Sequence, residues 1–167
     1  MNPRARARTR AAGDAEVSNA FSAALQAAKD GQSEAGIPIG AALAHQDTVI
    51  ATGYNRRLQD ADPTAHAEIS ALRAAGRRTD YQELTLYTTL APCALCSGAI
   101  VQFKIPRVVI GEASSFPGEI DWLRSRGVQV QVLNDPEATE LMAEFIVAEP
   151  QLWNEDIAHT PSERTTS

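Results

Sequence analysis

Two short motifs far apart in this chain have to meet in space. Thr64-Ala65-His66-Ala67-Glu68 sets a histidine and a carboxylate two residues apart. Pro92-Cys93-Ala94-Leu95-Cys96 holds both of the chain's cysteines. Imidazole and thiolate are ligand types that zinc prefers. Cysteines at i and i+3 strain a disulfide, but on a helix they put both sulfurs on one face. A helix N-terminus also favours thiolate over thiol. A fold that joins His66, Cys93 and Cys96 therefore holds a metal by three protein ligands, and a tetrahedral zinc keeps its fourth position for water. A purely structural zinc needs a fourth protein ligand. There is no third cysteine, and neither His45 nor His159 has ligand-like spacing to the others. Zinc so bound ionises water near neutral pH, giving hydroxide as nucleophile. Glu68 is then the group placed to carry protons rather than a ligand.

The bulk properties restrict the class. A chain of 167 residues, 44% hydrophobic, is sized for one domain with a sizeable core. Aromatic residues make up 5%, so aliphatic side chains fill most of it. The net charge of -6 and pI near 5.0 run against a polynucleotide partner. No apolar run is long enough to span a membrane. Cysteines spent on a metal suit a reducing cytoplasm. Residues 1–13, with Arg4, Arg6, Arg8 and Arg10, read as a disordered tail, and residues 159–167 as a second one; 14–158 form a single zinc-binding domain.

Along the domain, apolar spacing predicts a helix over 14–30, with Gly31 as its stop. Strands are expected at 37–44 and 48–53, with a turn at His45-Gln46-Asp47. Thr64 or a neighbour caps a helix running to Ala75, with Ile69 and Leu72 pointing inward. A strand at 84–90 leads straight into a helix over 93–102, then a strand at 107–111. A helix at 119–126, a strand at 128–133 and a helix capped by Asn134 or Asp135 follow. Pro150 ends that helix, and a last helical segment carries Leu152, Trp153 and Ile157. Alternating strands and helices imply an α/β sandwich with helices on both sheet faces.

The combined pattern H-x-E…P-C-x-x-C is that of the zinc-dependent deaminases of bases and nucleosides. From about Ile37 to Ile157 the chain resembles the cytidine deaminase superfamily, and within it the fungal-type cytosine deaminases. The resemblance is carried by Ile37-Pro38-Ile39-Gly40, Gly53-Tyr54-Asn55, the His66 segment, Thr85 to Cys93, and Ile105 to Glu112. The ending Trp153-Asn154-Glu155-Asp156-Ile157 points most narrowly to the cytosine deaminase branch. The resemblance implies a three-layer α/β/α sandwich around a mixed five-stranded sheet, a homodimer, one zinc ion per subunit, and conversion of cytosine to uracil and ammonia. It also implies that Asn55 bonds the base's carbonyl and Asp156 a polar edge of the ring. Phe116 and Trp153 would close the pocket with Ile157 beside them, and Ala67 would lie against the substrate. From the residues alone Asn55 is equally a turn residue, Trp153 a core residue, Asp156 a solvated acid and Phe116 a loop anchor.

The chain departs from the fungal pattern at two places beside the expected substrate. Ala67 stands where that family has Gly, and Ala91 where it has Ser. Asp62 to Ile69 and Ala71-Leu72-Arg73 resemble the tRNA adenosine deaminases instead. That alternative needs a basic groove, for which Arg56, Arg57, Arg77, Arg78 and the N-terminal arginines are the candidates. A guanine, creatinine or other cyclic-amidine deaminase is a further alternative. A zinc fold that only binds or scaffolds is the reading of a different class, and the presence of Glu68 speaks against it.

Overall fold

The computed structural model describes residues 12–46 and 48–159, so the arginines at positions 4 to 10 and the end of the chain lie outside it. Five strands form one mixed sheet in the order β2-β1-β3-β4-β5. They are β1 (Gly40–His45), β2 (Thr48–Tyr54), β3 (Thr85–Leu90), β4 (Arg107–Glu112) and β5 (Gln129–Val132). β1 is antiparallel to β2 and β3, whereas β3, β4 and β5 run parallel. Helices α1 (Ala12–Ser33), α2 (Arg57–Asp60), α3 (Ala67–Ala75), α4 (Ala94–Gln102), α5 (Ile120–Ser125), α6 (Pro136–Ala148) and α7 (Pro150–Asp156) complete the α/β/α sandwich.

Strand alternation divides the core. Ala42, Ala44, Tyr87 and Val109 face α1 with its Phe21, Ala24 and Leu25. Leu43, Leu86, Val108 and Ile110 face the other way, toward α3, α4 and Leu123 of α5. Asp135 caps α6 by accepting from Ala138 N at 2.8 Å, and Pro136 fills the first turn. Pro150 does not merely stop α6, as its position suggests; it opens α7. Among the described residues no helix is long and apolar enough to cross a membrane.

Two expectations need correction. Gly31 does not stop α1, which runs on to Ser33. Its missing side chain makes room instead for Tyr54, whose Cδ2 would lie 2.9 Å from a Cβ there. On α3 the buried residues are Ala67, Glu68 and Ala71, while Ile69 and Leu72 are only half-buried. The cause lies in β2. A Cβ on Gly53 would stand 2.3 Å from Ala71 N and 2.7 Å from Ala67 O. Only small side chains fit on so close a helix, and the larger ones are turned to its flanks.

Gly53→Ala therefore pushes away the helix that begins at His66. The expected cost is about 3 kcal/mol, a fall in melting temperature of roughly 6–12 °C, with weaker zinc retention. Calorimetry and metal analysis check it; an unchanged melting point would mean that α3 is free to slide on the sheet.

Candidate active site

His66 and Cys93 are the residues that cap α3 and α4, each with extended backbone. Neither makes a side-chain capping bond among the described residues. Both side chains instead turn toward one point. Cys93 Sγ lies 3.4 Å and Cys96 Sγ 3.6 Å from His66 Nδ1. All three donor atoms fall within 4.8 Å of one another. Two soft sulfurs and an imidazole nitrogen, gathered beside two helix N-termini, fit zinc.

Local bonds bring the segments there. Asp62, not Thr64, organises the approach to α3: its Oδ1 accepts from Thr64 N at 2.8 Å and from Thr64 Oγ1 at 2.7 Å. Arg56 N donates to Ala65 O at 2.8 Å, tying that approach to the exit of β2. On the other side Ala91 N donates to Glu112 O, and Ser97 Oγ to Pro92 O. Glu112 Oε2 accepts from Ser114 N, Ser114 Oγ and Ser115 N at 2.7–2.9 Å, fixing the loop that presents Phe116.

A cavity of about 280 Å³ opens over the triad. Every candidate drawn from the sequence lines it except Cys96, which lies buried beside Cys93. Asn55, Ala67, Glu68, Phe116, Trp153, Asp156 and Ile157 are all on its walls. Trp153 serves both roles weighed for it, since it is buried in the core and faces the cavity. Its ring meets Phe116 edge to face, with centroids 6.3 Å apart. Asn55 and Asp156 form one polar corner, Asn55 Nδ2 donating to Asp156 Oδ1 at 3.3 Å.

Thr88 and Ile39 are relevant residues that motif reasoning passed over. Thr88 Oγ1 stands 3.2 Å from Glu68 Oε1. Its signal was available: Thr88 takes the inward parity of Leu86 and Leu90, where a polar side chain needs a partner. Three arginines proposed for a nucleic-acid groove are committed elsewhere. Arg56 pairs with Asp60 and Glu34, Arg57 with Glu155 and Asp156, and Arg78 with Asp80.

The electrostatics follow from burial and from the short contacts. Burial pushes the Glu68 carboxyl above its usual range, and does the same to Asp156 against the pull of His66 and Arg57. Burial acts downward on His66, but the hydrogen bond to Cys93 and the nearby acids together raise it. The hydrogen bond from Cys96 draws the Cys93 thiol down to about 4, and the same bond, with burial, holds Cys96 well above its usual value.

A reactivity difference follows for zinc-free protein. Cys93 is a thiolate at all pH values above about 4, whereas Cys96 keeps its proton through neutrality. Iodoacetamide at pH 6 is expected to label Cys93, Cys96 much more slowly, and neither once zinc is restored. Peptide mass mapping reads this out, and equal labelling would contradict the opposite shifts of the two thiols.

Comparison with known proteins agrees with this geometry. Residues 15–112 match the family profile of the cytidine and deoxycytidylate deaminase zinc-binding region. The cytosine deaminase of Candida albicans is 47% identical over 137 residues, which is 80% of this chain and 91% of that one. A tRNA-specific adenosine deaminase of Buchnera aphidicola is 50% identical over 78 residues, covering 45% of this chain and 52% of that one. Among solved structures, one from a study of A-to-I editing by tRNA:A34 deaminases superposes with a TM-score of 0.64 at 28% identity, over 74% of this chain and 99% of that one. The guanine deaminase of Nitrosomonas europaea gives 0.69 at 23% identity, over 87% and 88%, a likeness of fold. A match that spans more than half the chain and contains His66, Glu68, Cys93 and Cys96 makes this protein a zinc-dependent deaminase of the cytidine and deoxycytidylate deaminase family.

Proposed function

We propose that the protein hydrolyses free cytosine to uracil and ammonia. The observation that carries this reading is the polar corner of the cavity. Arg57 N donates to Asn55 Oδ1 at 3.1 Å, which assigns the amide's orientation and leaves Nδ2, one of whose two protons goes to Asp156 Oδ1, as its donor. Beside that donor stands Asp156, an acceptor. A donor and an acceptor side by side read an O=C–N–H edge. Cytosine offers one at C2 and N1, but cytidine does not, because its N1 carries the sugar. The remaining walls (Ile39, Leu90, Phe116, Trp153 and Ile157) are flat or aliphatic, and the space suits one small ring. The 47% identity to a cytosine deaminase points the same way.

His66, Cys93 and Cys96 are the residues that would hold zinc, which supplies the Lewis acid that makes water nucleophilic near neutral pH. Asn55 donates to the C2 carbonyl, and Asp156 accepts from N1–H. Together they present C4 and its amine to the metal side of the cavity. Glu68, buried and with its carboxyl raised by desolvation, takes a proton from the attacking water and gives it to N3. The proton of the resulting C4 hydroxyl, passed through Glu68 to the amine, lets ammonia leave as the C4–N bond breaks and the C4 carbonyl forms. The side chains of Ala67 and Ala91 are methyl groups, so among side chains the polar reading of the base falls to Asn55 and Asp156. Phe116, Trp153 and Ile157 shield the reaction, with α7 as the lid whose opening releases product.

We place the enzyme in the cytoplasm, where its two unpaired cysteines stay reduced. A homodimer would cover the exposed Leu95 and Phe103 along α4. The tRNA alternative is not favoured, because Arg56, Arg57 and Arg78, three of the four candidate arginines among the described residues, are paired with acids of this chain.

Zinc-loaded protein offered cytosine, cytidine, guanine, adenine, creatinine and an anticodon stem-loop should release ammonia from cytosine. Release from another compound and none from cytosine would end this reading. Glu68→Gln is expected to keep its zinc and lose activity by about 10³-fold, read from kcat with metal content in parallel. Full turnover in that variant would remove Glu68 from the proton path.

A further inference from the structure

Arg57 lies behind the cavity rather than on its wall, yet it touches both residues of the polar corner. It begins α2, two residues after Asn55. Its main-chain N–H donates to Asn55 Oδ1 at 3.1 Å. Its Nη1 donates to Asp156 Oδ1 at 3.2 Å, and its Nη2 to Glu155 Oε1 at 3.4 Å. The guanidinium thus spans two consecutive acids at the end of α7.

The setting is costly. The Arg57 side chain is 10% exposed and that of Asp156 7%. Arg57 Nε is buried without a partner among the described residues. Removing a guanidinium from water costs several kcal/mol before any pairing is counted. The neighbouring Arg56 makes shorter bonds, both 2.9 Å, to the exposed Asp60, so a stronger pair was available without burial. The value of the buried pair therefore lies in what it orients.

We propose that Arg57 is the positioning residue of the recognition pair: its main chain fixes Asn55, its guanidinium fixes Asp156, and the same fork latches α7 over the cavity. This rests on the reading that Asn55 and Asp156 hold the base. Asp156 Oδ1 accepts from both Asn55 Nδ2 and Arg57 Nη1, which sets the rotation of the carboxylate. No hydrogen bond among the described residues uses Oδ2, so that oxygen is left for the N–H of the substrate. A lysine can supply the charge at this position but cannot fork to two acids. Without the guanidinium, two adjacent acids of α7 lose their shared counterion, one of them in a buried position.

The test uses zinc-loaded full-length protein and the variants Arg57→Gln, Arg57→Lys and Glu155→Gln. Loss of a charge-assisted bond to a binding group is expected to raise KM for cytosine roughly 10- to 100-fold in Arg57→Gln. The expected fall in kcat is less than about threefold, because the interaction serves ground and transition states alike. Arg57→Lys should recover part of the loss. Amide hydrogen exchange over residues 150–158, measured without substrate, should be faster in Arg57→Gln by about tenfold and by less in Glu155→Gln, with zinc content unchanged throughout. An unchanged KM, or a loss confined to kcat with parental exchange in α7, overturns the proposal. Should Arg57→Gln fail to fold, Glu155→Gln at its exposed position decides: parental exchange in α7 then overturns the latch. Because exchange needs no substrate, a protein inert toward cytosine would sink the proposed function while the latch is still judged.

Discussion

Everything in this site depends on two helices beginning at one place. α4 follows β3 directly, α3 follows β2 by way of the short α2, and each carries a candidate zinc ligand at its cap position, where the side chain makes no capping bond among the described residues. The arrangement needs α3 to lie almost on the backbone of β2, which Gly53 permits. It also needs β3 to enter α4 through Pro92, whose ring restricts Ala91 to extended backbone. The sheet changes from antiparallel to parallel pairing across β3, and α4 supplies the crossover from β3 to parallel β4. The ligands sit at the end of that strand, where open α/β sheets place their binding crevices.

The second dependency is long-range. Asn55 comes just past β2, and Asp156 from the last helix, yet they stand side by side on the cavity wall. Buried carboxylates are held by compensating donors or not at all. Among the described residues two hydrogen-bond donors reach Asp156, Asn55 Nδ2 and Arg57 Nη1, both from the segment just past β2, and His66 Nε2 stands 3.9 Å from the same oxygen. The roof of the cavity is therefore fastened to the same short stretch that supplies its polar floor. Trp153 adds apolar anchorage, buried among core side chains.

Much of this was legible in the sequence because ligand chemistry and hydrophobic period are local signals. His66, Cys93 and Cys96 were readable from spacing, and the order of strands and helices from alternation of apolar runs. Close approach of elements was not. Ile69 and Leu72 look like the inward face of α3, and only the bare Gly53 opposite explains why alanines hold that place. Gly31 reads as a stop because its tertiary partner, Tyr54, lies outside any local window. Arg57 was the least legible. A charged residue beside a turn reads as solvated, and its partner Asp156 is 99 residues away.

In the proposed mechanism Glu68 serves as both carboxylate and acid, and the hydroxyl beside it can answer both forms. Thr88 Oγ1 lies 3.2 Å from Glu68 Oε1 and 3.0 Å from Leu90 O. A hydroxyl has one proton, and a carbonyl can only accept. When Glu68 is ionised, the Thr88 proton can point to it. When Glu68 carries a proton, it can donate to Thr88 Oγ1, whose own proton then turns to Leu90 O. Glu68 keeps Thr88 as a partner in either state, where an unsatisfied polar group would cost about 1–3 kcal/mol. A valine here would match the shape of Thr88 but answer neither form. A fixed donor such as an amide N–H would favour the carboxylate alone. The rotating hydroxyl keeps the two forms closer in energy, which is what a group that both takes and returns protons requires.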